Sequence, residues 1–84
     1  MKKTLDKLTN GENAIITGIE ANSTYRSRLT ELGFIEGNKI TLIRRALFGS
    51  PIQVNIAGYD ILLRKSEAKY ILINEEENKN AWNK

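Results

Sequence analysis

Between Lys39 and Arg64 the chain alternates short runs of apolar residues with glycine-bearing turns, and that rhythm excludes a bundle of long helices. The runs are Lys39 to Arg45, Pro51 to Ile56 and Tyr59 to Arg64. In the middle run Ile52, Val54 and Ile56 alternate with Gln53 and Asn55, the period-two pattern of a sheet with one wet face. Turns this short join neighbours, so the runs are expected to form an antiparallel meander. Ala57-Gly58 forms the tightest connection. Because an alanine side chain resists positive φ, a type I turn with a glycine bulge is expected there, with Gly58 alone taking the positive φ.

Upstream, Thr4-Leu5-Asp6-Lys7-Leu8 predicts a short helical turn, Asn10-Gly11 a reversal, and Ala14 to Ile19 the first strand, in which Gly18 marks a bulge or a close backbone contact. From Ser23 the period changes. Tyr25, Leu29 and Leu32 fall at i, i+4 and i+7 on one helical face and are expected in the core, with Ser23 as the N-cap. Gly33 stands at the left-handed C′ position and Phe34 at C″, from which it falls back onto Leu29 in a Schellman stop. Ser66 to Tyr70 predicts one helical turn and Ile71-Leu72-Ile73 a closing strand.

Five short strands and one inserted helix within 84 residues are too few for an immunoglobulin-sized sandwich. They suit a mainly β fold, an SH3-like barrel whose curling protects its edges. Residues 1–73 are expected to form this one domain. Residues 74–84 carry Ala81 and Trp82 among Glu, Asn and Lys, and are expected to be a mobile tail with a transient helix capped by Asn74 and an exposed Trp82.

Cysteine and histidine are both absent and the only methionine is Met1, which removes the usual ligands of zinc, copper and iron–sulfur centres and the usual nucleophile–base pairs. The carboxylates Asp6, Glu12, Glu20, Glu31, Glu36, Asp60 and Glu67 are dispersed. No cofactor, metal site or enzymatic activity is expected. The lack of cysteine fits a reducing cytosol, and neither a membrane span nor a signal segment is expected. Gly33, Gly37, Gly49 and Gly58 lie in separate turns and do not make a phosphate loop.

With 13 Lys and Arg against 10 Asp and Glu, the net charge of +3 is too small to mark a dedicated polyanion binder. The residues singled out for partner contact are Arg26 and Arg28 on the helix, Arg44 and Arg45 at a strand end, and the Leu47-Phe48 tip beside them, since charge next to exposed apolar area is a common interface composition. The alternative is a small nucleic-acid-binding barrel in which Tyr25, Phe48 or Tyr59 stack bases. Against it, Tyr25 and Tyr59 fall on faces expected to be buried.

The segments L-T-E-L-G-F-I-E-G of Leu29 to Gly37, I-T-L-I-R-R-A-L-F-G-S-P of Ile40 to Pro51 and G-Y-D-I-L-L-R-K-S-E-A of Gly58 to Ala68 resemble, in order and spacing, the FeoA family of ferrous iron transport accessory proteins. The resemblance spans about residues 4–73. It implies a small cytosolic SH3-like barrel that assists FeoB, a membrane ferrous-iron transporter with a cytoplasmic G domain, without itself being a catalyst. Related modules follow winged-helix domains in metal-responsive repressors, and without a recognition helix in these residues a stand-alone repressor is not expected. Two positions depart from the family pattern: Glu36 replaces the proline usual before the turn glycine, and Ala46-Leu47-Phe48-Gly49 stands where A-P-L-G is frequent.

Overall fold

A computed structural model describes residues 3–20, 23–46, 48 and 50–75. The elements are β1 (Lys3–Thr4), a 3-10 turn (Leu5–Lys7), β2 (Asn13–Ile19), α1 (Ser23–Leu32), β3 (Lys39–Arg45), β4 (Ile52–Ile56), β5 (Tyr59–Leu63), α2 (Lys65–Ala68) and β6 (Ile71–Glu75). All strands join one antiparallel sheet in the order β1-β6-β2-β3-β4-β5, with the meander β3-β4-β5 as expected. The sheet has six strands rather than five. The added β1 pairs Lys3 with Ile73 and Thr4 with Leu72, and two residues are too few to leave a periodic signature. The closing strand also runs past Ile73: Asn74 and Glu75 pair with Ile15 and Ala14, so Asn74 belongs to the sheet and does not cap a helix. Trp82 and the rest of 76–84 lie outside the described residues, as does the side chain of Ser23.

The core draws on nearly every element: Leu5 and Leu8 from the N-terminal turn, Ile16 from β2, Leu29 and Phe34 from α1 and its exit, then Ile40, Leu42, Ile52, Val54, Ile56, Leu63 and Ile71 from the strands, all fully buried. The helix ends as its glycine predicts. Gly33 takes φ +109, its N–H donates to Thr30 O (3.0 Å), and the Phe34 N–H reaches back to Leu29 O (3.1 Å), the two bonds of a Schellman motif. Tyr25 packs against the core with its ring 5.3 Å from that of Tyr70. Leu32, expected beside Leu29 in the core, is 38% exposed. Tyr59, also expected to be buried, is 71% exposed, because β5 is the last strand of the sheet and Tyr59 stands at its hairpin end.

Two β-bulges set which side chains face outward. On β2 the register with β6 shifts between Ile16 and Gly18, where a bulge was expected. On β3 it shifts between Leu42 and Arg44: Leu42 faces Val54, Arg44 faces Gln53 and Arg45 faces Ile52. Simple alternation from Leu42 would turn Arg44 inward and Arg45 outward. The extra residue, Ile43, reverses them.

The β4–β5 hairpin differs from the expected turn. Ala57 takes φ +54 and Gly58 φ +86 between the paired residues Ile56 and Tyr59, which is the two-residue type I′ geometry rather than type I with a bulge. The primed turn matches the right-handed twist of the strands, and this outweighs the roughly 1–2 kcal/mol that a left-handed conformation costs an alanine. Ala57→Asn, which tolerates that region, should therefore stabilise the fold by about 0.5–1 kcal/mol and raise the midpoint of thermal unfolding by roughly 2–8 °C.

Thr9 to Glu12 form a turn closed by the Glu12 N–H on Thr9 O (3.1 Å), with Gly11 at φ +87, and the Glu12 carboxylate returns to accept the Thr9 N–H (2.7 Å). That backbone donor is the largest influence on Glu12, followed by the Thr9 side chain, and together they hold its carboxyl below the ordinary 4.5. A carboxyl whose folded pKa is depressed stabilises the fold above its unfolded value and ceases to do so as the pH falls through the folded one. Glu12→Gln should be less stable than the native chain in urea at neutral pH, and the gap should close as the pH is lowered through and below 4.5.

Candidate partner-binding surface

The four arginines singled out in the sequence have four different tasks. Arg45, turned inward by the bulge, donates through Nη2 to Asp6 O (2.5 Å) and to Leu8 O, tying the end of β3 to the N-terminal 3-10 turn. Arg26 Nη2 donates to Ile19 O (2.7 Å), which fixes the start of α1 against the end of β2. Arg28 pairs with Oε2 of the buried Glu67, whose Oε1 accepts the Arg64 N–H (3.0 Å) at the start of α2. Those three guanidiniums hold elements together. Arg44 lies on the solvent face, with its Nε 3.3 Å from Gln53 Oε1 and no carboxylate partner among the described residues. At the tip, Leu47 lies outside the described residues and Phe48 is 91% exposed.

The sheet register places Arg44, Gln53 and Leu62 side by side across β3, β4 and β5. With Arg45, Ala46 and Pro51 they line a shallow concavity of about 340 Å³. At its border the loop between β3 and β4 brings the Ala46 N–H onto Pro51 O (3.0 Å) and contains the cis Ser50–Pro51 peptide. The Lys65 N–H donates to Ser50 Oγ (3.1 Å), so the basic pair Arg64-Lys65 adjoins this loop. Leu62, 63% exposed, was not singled out in the sequence. A signal for it exists: once Ile61 and Leu63 alternate inward, Leu62 is the large apolar side chain left facing water.

Among the described residues, no group of three or more Asp, Glu, His or Cys is placed to hold a metal ion, and no helix is long and apolar enough to cross a membrane. Gly33, Gly37 and Gly58 each take a positive φ, which accounts for their presence in turns, while Gly49 lies outside the described residues.

The FeoA domain family matches residues 3–75, from β1 through the last residue of β6. The chain belongs to the FeoA family. Members of this family are small accessory domains of ferrous iron transport and are not a known enzyme family. A Porphyromonas gingivalis relative, 33% identical over 67 residues, is named as a fusion of Fe(2+) transport protein A and the Fe(2+) transporter FeoB; the match takes in 80% of this chain and 8% of that much longer protein. The NMR structure of a FeoA-like protein from Clostridium acetobutylicum superposes with a TM-score of 0.85 at 28% identity, covering 96% of this chain and 94% of the other. A crystal structure of Stenotrophomonas maltophilia FeoA in complex with zinc, described as a prokaryotic SH3 domain protein, superposes at 0.77 with 29% identity over 86% of this chain and 89% of that one. The SH3-like FeoA fold expected from the resemblance is therefore the fold of this chain.

Proposed function

We propose that this FeoA protein acts in the cytoplasm as a non-enzymatic accessory of ferrous iron uptake, by contact with the cytoplasmic part of a FeoB-type transporter. The observation that carries this reading is the relative in which a FeoA domain and FeoB are one polypeptide, since fusion holds two functional partners at high effective concentration. The surface offered for the contact is the one around Arg44 and Phe48. Arg45 serves it indirectly, because its hydrogen bonds hold the end of β3 against the N-terminal turn, while Arg26 and Arg28 fasten α1 to β2 and to α2.

The nucleic-acid alternative gains one exposed aromatic in Tyr59 and still lacks a platform. Tyr25 is already stacked on Tyr70, and the residue after Tyr59 is Asp60, whose charge repels phosphate. The reading is tested by ferrous iron uptake in cells lacking this chain, with and without the transporter, beside fluorescence polarisation with a single-stranded RNA at about 150 mM salt. Restoration of uptake by the chain only where the transporter is present, with no saturable RNA binding, is expected. Uptake indifferent to the chain, together with saturable RNA binding, would replace this function with the alternative.

A further inference from the structure

Resting on that reading, we infer that the free edge of β5 is the docking line, and that its occupant is an extended, acidic segment of the transporter's cytoplasmic part, which adds to the sheet as a further strand. β5 ends the sheet order, so one of its sides has no strand partner among the described residues. In a two-residue hairpin the residues flanking the loop form a hydrogen-bonded pair, here Ile56 and Tyr59. The N–H and C=O groups of Tyr59, Ile61 and Leu63 therefore turn toward β4, and those of Asp60 and Leu62 turn outward. An outward row of backbone donors and acceptors is what an added strand needs.

The side chains around the edge select the occupant. Arg44 stands in the cross-strand row of Leu62 with Gln53 between them, Arg64 follows the end of β5 as the N-cap residue of α2, and Lys65 comes next with its N–H on Ser50 Oγ. None of the three makes an ion pair among the described residues. Of the carboxylates nearby, Glu67 is paired with Arg28, and Asp60 accepts from two neutral amides, Asn55 Nδ2 at 2.9 Å and Gln53 Nε2 at 3.3 Å. Arg44, Arg64 and Lys65 outnumber the single charge of Asp60, and Leu62 with Pro51 offers apolar area beside them. An incoming strand with alternating acidic and apolar side chains satisfies the backbone, the charge and the apolar patch together.

The test is biolayer interferometry against the immobilised cytoplasmic domain of the transporter, with Leu62→Asp, Arg44→Glu/Arg64→Glu and, as a control on α1, Glu31→Lys, each checked for folding by its amide spectrum. It is paired with amide exchange in the presence of two synthetic peptides, one alternating valine with glutamate and one alternating valine with lysine. Both edge variants are expected to weaken binding by about tenfold or more and the control to leave it unchanged, with affinity falling as salt is raised. The glutamate peptide, and not the lysine one, is expected to slow exchange of the Asp60 and Leu62 amides. Undiminished transporter binding by both edge variants overturns the docking line and leaves the accessory reading standing. Slowed exchange by the glutamate peptide with no transporter binding overturns the accessory reading and leaves the edge site standing. If neither probe engages, both fall. A dimer in sedimentation that Leu62→Asp dissolves would make a second copy the occupant and overturn the assignment to the transporter.

Discussion

Arg45→Met is expected to destabilise the fold by about 2–4 kcal/mol, while Arg44→Met, one residue earlier, should change stability by less than about 0.5 kcal/mol. The two arginines look equivalent in the sequence, and the bulge at Ile43 separates their fates. Arg45 donates its guanidinium to Asp6 O and Leu8 O, and the side chains of Leu5 and of Leu8 itself are fully buried. Methionine keeps the aliphatic reach and removes the charged donors, so the loss reports carbonyls left without a partner rather than lost packing. Urea unfolding of both variants measures the difference. Equal stabilities would show that the 3-10 turn is held by its leucines alone.

Phe34→Ala should cost about 3–5 kcal/mol. A domain of this size has a total stability of roughly 4–12 kcal/mol, so the variant should be largely unfolded at a temperature where the native chain is folded. The reason lies in two coupled roles. Phe34 is the largest fully buried side chain, and its backbone N–H makes the bond that closes α1 on Leu29 O. Truncation opens a cavity and removes the apolar contact that accompanies the stop, whereas Phe34→Leu keeps part of both and should lose less than half as much. Circular dichroism melts of the two variants distinguish a packing role from a purely backbone one: equal melting points would leave only the backbone bond.

What the sequence made legible was the part written in side-chain period and in glycine. The alternation of Ile52, Val54 and Ile56 gave β4 and its inward face, and Gly33 followed by Phe34 gave the end of α1 with its two hydrogen bonds. Features without such a signature were not readable. β1 is two residues long, its place decided by pairing with β6. A bulge adds a residue without requiring a particular side chain, so nothing in Leu42-Ile43-Arg44-Arg45 announced that Arg45 would point inward. The hand of the Ala57-Gly58 turn is set by the twist of the strands it joins, which local conformational preference does not carry. The exposure of Tyr59 follows from strand order, which leaves β5 at the edge and is a property of the whole sheet.

The same distinction runs through the candidate surface. Charge beside an apolar tip pointed to the neighbourhood of Arg44 and Phe48, while the contribution of Leu62 emerged only once the register set it across from Gln53. Arg26, Arg28 and Arg45 were legible as cations and not as fasteners, since their partners are three backbone carbonyls and one buried carboxylate brought to them by the fold.

The account turns on contact between this FeoA protein and the transporter, and an amide NMR titration of the labelled chain with the transporter's unlabelled cytoplasmic domain, at about 150 mM salt, tests it most directly. Saturable shifts are predicted at Arg44, Ala46, Phe48, Ser50, Asp60 and Leu62, with Ile19, Arg26 and Tyr70 unmoved. A spectrum that stays unchanged at saturating domain, or shifts confined to α1, would contradict it.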